Sequence, residues 1–330
     1  MNGRTLIVFD MDGVLIDVSR SYRETVRRTA RLFFKPAAGW NGLPDPLFPL
    51  SDLAGLKLLG NCNNDWDLSF AAICLLCSLV ENRELRDGTD VWERYTRSLS
   101  RWNVEPLGRF LRSTGEPLTQ LFHRSRLPAD GDPLRIFYTG EAGRGNLIKQ
   151  LFQELYLGAE LFRSTYSSAP RVHNGTGLIL QEALLPDHRT LRHLAAHNDL
   201  AVATGRPRPE AEYGLERFGI APLFQAVLTL DDCLAEEKRI LEEEGRAARR
   251  VKPHPYMLEA IARRRPYDRR YYVGDMPDDM IAAGKARFAG VGLASSDSEA
   301  AAQRAALLQS GAQVLIERLE ELESALRETP

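Results

Sequence analysis

Cysteine is scarce in this chain: Cys62, Cys74, Cys77 and Cys233 are the four in 330 residues. They form no disulfide framework. The one close pair lies within Ala71-Ala72-Ile73-Cys74-Leu75-Leu76-Cys77. That run reads as a buried helix, and no second pair completes a zinc or redox site. Net charge is scarce too, with 43 Lys and Arg against 45 Asp and Glu. Without a basic excess, nucleic acid is not expected as a partner. Because the positive residues are mostly arginine, local anion-binding spots remain available. The longest apolar stretch, Phe70 to Val80, is too short for a bilayer and is broken by Ser78, so no membrane partner is expected. Met1 runs directly into strand-like residues with no basic-then-apolar leader pattern, which makes the cytoplasm the expected location. Repeats and low-complexity segments are absent.

What is present concentrates in Val8-Phe9-Asp10-Met11-Asp12-Gly13-Val14-Leu15-Ile16-Asp17. The run Leu6-Ile7-Val8-Phe9 predicts a buried strand that ends in two aspartates one residue apart. Alternate residues of a strand share a face, so Asp10 and Asp12 can converge at its carboxyl end, where open α/β sheets bind ligands. Gly13 permits a tight turn there. Two carboxylates that close repel unless a cation intervenes, which marks a candidate Mg²⁺ and nucleophile site.

A length of 330 residues predicts roughly two domains. Helices are expected over Ser21 to Phe34, Asp67 to Val80, Thr89 to Leu99 and Asn146 to Phe162. Lys35 to Pro49 is rich in Gly and Pro, Arg101 to Pro133 is broken up by Pro106, Gly108, Gly115, Pro117 and Pro128, and Gly175 to Leu185 reads as a hairpin or turn. From Leu191 onward the pattern alternates. Strands are predicted at 200–204, 226–229, 271–274, 290–293 and 313–316, with helices at 207–218, 255–264, 277–287, 298–308 and 317–327. Such alternation specifies a parallel sheet with right-handed crossovers. The strand at Thr5 to Phe9 must join that sheet, since a lone strand cannot bury itself. Residues 18–188 are then a helical domain inserted into an α/β core made of 1–17 and 189–330. The charged segment Glu236 to Arg250 reads as a solvated helix or loop without a catalytic signal.

Three later strand ends carry charged or hydroxyl groups. Ala203-Thr204-Gly205-Arg206-Pro207 opens a helix whose free N–H groups and hydroxyl suit phosphate oxygens. Val251-Lys252-Pro253-His254-Pro255 places a lysine just before two prolines that restrict the backbone. Val273-Gly274-Asp275-Met276-Pro277-Asp278-Asp279 supplies further carboxylates, of which Asp278 is explained by the helix dipole.

Together these four segments resemble the haloacid dehalogenase-like hydrolases, subfamily IA, with a phosphoglycolate-phosphatase-like subgroup as the nearest pattern. The resemblance implies a Rossmann-like parallel-sheet core with a large α-helical cap inserted after the first strand. By it, Asp10 is the nucleophile that becomes an aspartyl phosphate, and Asp12 is the general acid and then base. Thr204 and Gly205 hold phosphate, and Lys252 neutralises the nucleophile and the phosphoryl group. Arg206 either adds a bidentate phosphate contact or caps the turn. Mg²⁺ is the implied cofactor, held by Asp10, the Asp12 backbone carbonyl and Asp275. Asp279 acts through a metal-bound water or orients Lys252. In the cap, Asp17-Val18-Ser19-Arg20-Ser21-Tyr22-Arg23, Leu56-Lys57 and Asn63-Asn64-Asp65-Trp66-Asp67 carry the resemblance. Arg20, Arg23, Lys57, Asn63 and Trp66 are its candidates for reaching the leaving group.

The resemblance implies a Mg²⁺-dependent phosphatase acting on a small phosphorylated metabolite. A phosphomutase of the β-phosphoglucomutase type keeps the same first step, and a non-catalytic binding protein is the alternative of another class. Dehalogenation is disfavoured because relatives of that type lack the aspartate that Asp12 supplies. Phosphonate cleavage needs a Schiff-base lysine, and Lys35, Lys57 and Lys149 stand in no such context.

Overall fold

A computed structural model describes residues 4–60, 64–125, 131–294 and 300–328. The chain divides into two compact units, one of residues 1–17 and 183–330 and the other of residues 18–182.

The first unit is built on a parallel sheet. Its strands are β1 (Thr5–Phe9), then, after the short β2 (Ile16–Asp17) and β3 (Ala183–Leu184), β4 (Asp199–Ala203), β5 (Ala226–Leu228), β6 (Arg269–Gly274), β7 (Ala289–Leu293) and β8 (Ala312–Ile316). The sheet order is β5-β4-β1-β6-β7-β8. Strand β1 pairs in parallel with β4 on one side and β6 on the other, every residue of it buried. Its apolar run lacks a polar face because helices cover both sides of such a sheet. Leu6 and Val8 pack with Met257, Leu258 and Ile261, whereas Phe9 meets Phe224 edge-on on the opposite parity. From β1 the chain leaves toward β4, and from β6 it leaves toward β7. The loops after β1 and β6 therefore diverge, which opens a crevice between them at the strand ends.

The second unit is helical. It contains α1 (Tyr22–Phe33), α2 (Leu50–Gly60), α3 (Asp65–Cys77), α4 (Val91–Leu99), α5 (Glu105–Ser113), α6 (Pro117–Ser125) and α7 (Leu147–Tyr166). Helix α1 buries Thr25, Val26, Thr29, Ala30 and Phe33 on one stripe and presents Arg side chains on the other. Phe33 centres an aromatic group with Phe34, Tyr95, Trp102 and Phe137 at centroid distances of 5.4, 5.6, 6.4 and 5.9 Å. Helix α3 is buried continuously from Leu68 to Cys77, which places Cys74 and Cys77 in packing. Burial pushes both thiols well above their ordinary range, so neither is poised as a thiolate. Gly158 interrupts α7 with φ +74°, and a Cβ there would lie 2.3 Å from the Gly177 nitrogen.

Back in the α/β unit, the helices are α8 (His188–His197), α9 (Arg208–Arg217), α10 (Leu230–Glu244), α11 (Tyr256–Ala262), α12 (Pro277–Ala286), α13 (Ala301–Gln309) and α14 (Leu322–Glu328).

Three segments differ from the sequence reading. Residues 101–133, expected to be irregular, contain α5 and α6. Pro106 and Pro117 sit in the first turns of these helices, where a missing N–H costs nothing. The helical unit ends at residue 182 rather than 188, because Ala183–Leu184 pairs antiparallel with Ile16–Asp17. The last helix begins at Leu322 after a 3₁₀ turn at Leu319–Glu321, instead of running from 317. The charged segment resolves into most of α10, with Asp232 accepting from the Thr229 N–H at its start and Gly245 in the left-handed region at its end.

Candidate active site

The alternation along β1 carries Leu6 and Val8 toward α11, and Asp10 continues that parity. The segment before α11 brings Lys252 to the same side, with Val251 anchored in the cluster around Leu6 and Val8. The Lys252–Pro253 peptide is cis. The Asp10 N–H donates to the Val273 carbonyl at 2.8 Å, which locks the end of β1 to β6.

Lys252 Nζ stands 2.8 Å from Asp10 Oδ1 and 2.8 Å from Asp279 Oδ1. It also donates to the Tyr272 hydroxyl at 3.2 Å. Asp279 is fully buried at the start of α12, and both of its oxygens are engaged. Oδ2 accepts the Met276 N–H at 3.1 Å, while Oδ1 takes Lys252 and the Tyr272 hydroxyl. Asp279 is thus in direct contact with Lys252. Gly274 makes this close approach possible, since a Cβ there would lie 2.3 Å from Asp279 Cβ.

Asp10, Asp275 and Asp279 each offer a carboxylate oxygen within 4.8 Å of the others. Burial drives Asp10 from 3.8 up to about 7; Lys252 opposes the rise, and Asp279 and Asp12 add to it. Burial, with Asp279 and Asp10 nearby, also raises Asp275 well above the usual carboxylate range. For Lys252, burial alone disfavours the ammonium, but Asp10 and Asp279 outweigh it and hold its pKa well above the ordinary value. Three carboxylates against one ammonium leave an uncompensated negative charge. An all-oxygen donor set of this kind fits a hard divalent cation such as Mg²⁺. Gly13, at φ +72°, completes the crowding: a Cβ on it would lie 2.3 Å from Asp275 Oδ2.

On the β4 side, Thr204 is buried and its N–H donates to the Leu228 carbonyl at 2.9 Å. Thr204 Oγ1 accepts the Arg206 N–H at 3.1 Å, so its own hydroxyl proton remains to be donated. Gly205 is exposed, with nothing within 4 Å of where a Cβ would stand. Arg206 makes a contact beyond the two roles considered for it. Its side chain is buried, and its Nε and Nη2 donate to Asp12 Oδ1 at 2.6 and 2.5 Å. The guanidinium thus grips the second aspartate, a pairing the sequence reading did not contain.

The cap candidates belong to the helical unit. Arg20 and Arg23 are exposed beside and on α1. Trp66 lies in the first turn of α3 with Lys149 Nζ 4.7 Å above its ring. Lys57 falls in α2, but its side chain lies outside the described residues, as does all of Asn63. Tyr272 was missed by the sequence reading. It is fully buried in β6, where apolar strand residues are expected, and its hydroxyl contacts Lys252, Asp279 and the Ala203 carbonyl. The signal was its position three residues before Asp275, on the parity facing Lys252.

No helix among the described residues is long and apolar enough to cross a membrane. A curated relative, the Imidazoleglycerol-phosphate dehydratase of Phytophthora nicotianae, is 26% identical over 282 residues, covering 85% of this chain and 41% of that protein. The chain therefore spans less than half the length of this relative. Among solved structures, a structural-genomics X-ray structure superposes with a TM-score of 0.66 at 20% identity, over 99% of this chain and 98% of the other. Phosphatase Tt82 from Thermococcus thioreducens gives 0.50 at 21% identity, over 86% and 88%. At these identities the likeness concerns the fold. The haloacid dehalogenase-like hydrolase family model matches residues 5–287, and the chain belongs to that family of hydrolytic enzymes.

Proposed function

We propose that this chain is a Mg²⁺-dependent phosphatase that acts on a small phosphorylated metabolite through an aspartyl phosphate on Asp10. The observation that carries this reading is Lys252 Nζ at 2.8 Å from both Asp10 and Asp279, within a cluster of three carboxylates. Phosphoryl transfer needs little beyond positioning and charge neutralisation, and this cluster is organised for both.

Asp10 attacks phosphorus in line, forming one P–O bond as the bond to the leaving alcohol breaks. Asp12 gives the departing oxygen its proton. In the second half, Asp12 takes a proton from water, the water oxygen attacks phosphorus, and the Asp10 carboxylate is released with inorganic phosphate. Lys252 screens Asp10 from the approaching phosphoryl charge. Thr204, through its hydroxyl proton, and Gly205, through its N–H, hold the phosphoryl oxygens. Asp10 and Asp275 would hold the cation beside the Asp12 carbonyl, with Asp279 keeping Lys252 in place. Bound there, Mg²⁺ supplies positive charge to the phosphoryl oxygens. Exposed Arg20 and Arg23 remain the helical unit's candidates for recognising the leaving group.

The test is phosphate release from a panel of small phosphomonoesters with Mg²⁺, wild type against Asp10→Asn. Glycolate, sugar, polyol and nucleoside phosphates belong in the panel. Imidazole-bearing phosphomonoesters join them, because a similar segment occurs within the longer Phytophthora protein. Release from one or a few compounds, lost in the variant, is expected. An isomerised product without free phosphate would replace hydrolysis by mutase chemistry. Release that survives Asp10→Asn would overturn the nucleophile assignment.

A further inference from the structure

Arg206 is among the largest fully buried side chains of the protein, with 2% of its surface exposed. A buried guanidinium is costly unless charge and hydrogen bonds compensate it. Its backbone is pinned on both sides: the N–H donates to Thr204 Oγ1, and the carbonyl accepts the Leu230 N–H at 3.0 Å. From this fixed base the side chain passes Gly214 of α9, where a Cβ would approach Arg206 Nη1 to 3.8 Å and Met11 Cε to 2.8 Å. It ends on Asp12, whose own side chain is one-third exposed.

Both N–H contacts converge on a single oxygen of Asp12, Oδ1. Two charged N–H donors on one oxygen anchor that oxygen and leave the other unengaged by the guanidinium. We infer that Arg206 is a positioning residue for the general acid and not a phosphate ligand. It holds Asp12 by Oδ1 and so leaves Oδ2 as the oxygen that hands the proton to the departing alcohol. This inference rests on the phosphatase reading above and adds to it a division of labour between the two Asp12 oxygens. A phosphate ligand would present its donors toward the exposed end of the loop. Here the exposed group is Gly205, while the guanidinium points inward to Asp12.

The consequence is a dependence on the leaving group. An alkoxide needs a proton to depart, whereas 4-nitrophenolate leaves without one. The experiment is rapid-quench measurement of phosphoenzyme formation for wild type, Arg206→Met and Arg206→Lys. Two substrates are compared: the best alkyl phosphate of the panel and 4-nitrophenyl phosphate. Well-placed proton transfer contributes on the order of 10²–10⁴-fold, so Arg206→Met is expected to slow formation from the alkyl ester by about a hundredfold. Formation from 4-nitrophenyl phosphate, read as the nitrophenolate burst, is expected to change by less than about threefold, with KM steady for both esters. Arg206→Lys keeps a cation near Asp12 without the fork and is expected to recover part of the loss on the alkyl ester alone.

Equal losses on the two substrates, or a rise in KM without a change in the burst, would make Arg206 a phosphate ligand and overturn the inference. Should Arg206→Met fail to fold, Arg206→Lys decides by the same ratio of alkyl to aryl rates. A wild-type enzyme that releases neither phosphate nor nitrophenolate from any ester would instead bring down the phosphatase reading itself, and this inference with it.

Discussion

In the helical unit, buried Glu154 and Asp52 are met by backbone N–H groups; in the α/β unit, Asp10, Asp275 and Asp279 face one another. Glu154, fully buried on α7, accepts the N–H groups of Arg171, Val172 and His173 at 2.9, 2.7 and 3.1 Å, with Gln150 adding a side-chain donor. Asp52 on α2 accepts those of Leu118 and Thr119 at 2.7 and 3.0 Å, and so caps α6. These acids fasten a loop and a helix start. Asp10, Asp275 and Asp279 crowd one point with Lys252 as the cation among them. A buried acid is therefore structural or chemical according to its donors. Where the backbone satisfies it, it holds the fold; where other acids surround it, it is kept ready for a cation and a substrate.

Removing an acid should have opposite effects in the two units. The largest effect is expected for Asp10→Asn, with phosphate release reduced by about 10⁴-fold or more. Because Asn stands in for the neutral acid that burial favours and Lys252 keeps Asp279 as a partner, the stability of this variant near neutral pH should not fall below that of wild type. Urea denaturation beside the activity assay checks both halves. Glu154→Ala should invert the pattern. It strands three backbone donors and should cost roughly 3 kcal/mol in unfolding free energy. A Glu154→Ala protein as stable as wild type would show that these backbone donors do not depend on the carboxylate.

The dependence on pH and cation sharpens it. Asp10 titrates at about 7 in the folded protein against an ordinary 3.8. Between those values the folded state keeps a proton that the unfolded chain has lost. The associated stability is complete below about pH 4 and is lost as pH rises through about 7. Metal-free protein should therefore have a lower Tm at pH 8 than at pH 5. Mg²⁺ takes the proton's place, so it should raise Tm more at pH 8 than at pH 5. Equal shifts at the two pH values in differential scanning calorimetry would contradict a cation bound by these acids. The smallest effect belongs to Gly205→Ala. The exposed position has open space for a Cβ and keeps its N–H, so kcat/KM should change by less than about twofold.

Much of the α/β unit was legible because its strands are short apolar runs that end in chemical groups. Asp10, Lys252, Asp275 and Asp279 could be read as one constellation for that reason, and the structure pairs Lys252 with Asp10 and Asp279 and sets an Asp275 oxygen within 4.8 Å of theirs. The Arg206 pairing was not legible, since Asp12 is 194 residues away and only sheet register brings the two loops together. Tyr272 was hidden by its setting, a polar tip on a residue that suits a buried strand. In the helical unit, Pro106 and Pro117 read as breaks but mark helix starts, and the backbone donors that give Glu154 its role lie 17–19 residues further along the chain. Long-range donors decide what a buried acid does, and one sequence does not display them.

The most direct measurement is to quench the wild-type enzyme during turnover with Mg²⁺ and a substrate from the panel, then map the phosphorylated peptide by mass spectrometry. One acid-stable, base-labile phosphoryl group is expected on Asp10 and is absent from Asp10→Asn. Steady phosphate release with no phosphoryl group on Asp10 at any quench time would contradict the nucleophile assignment.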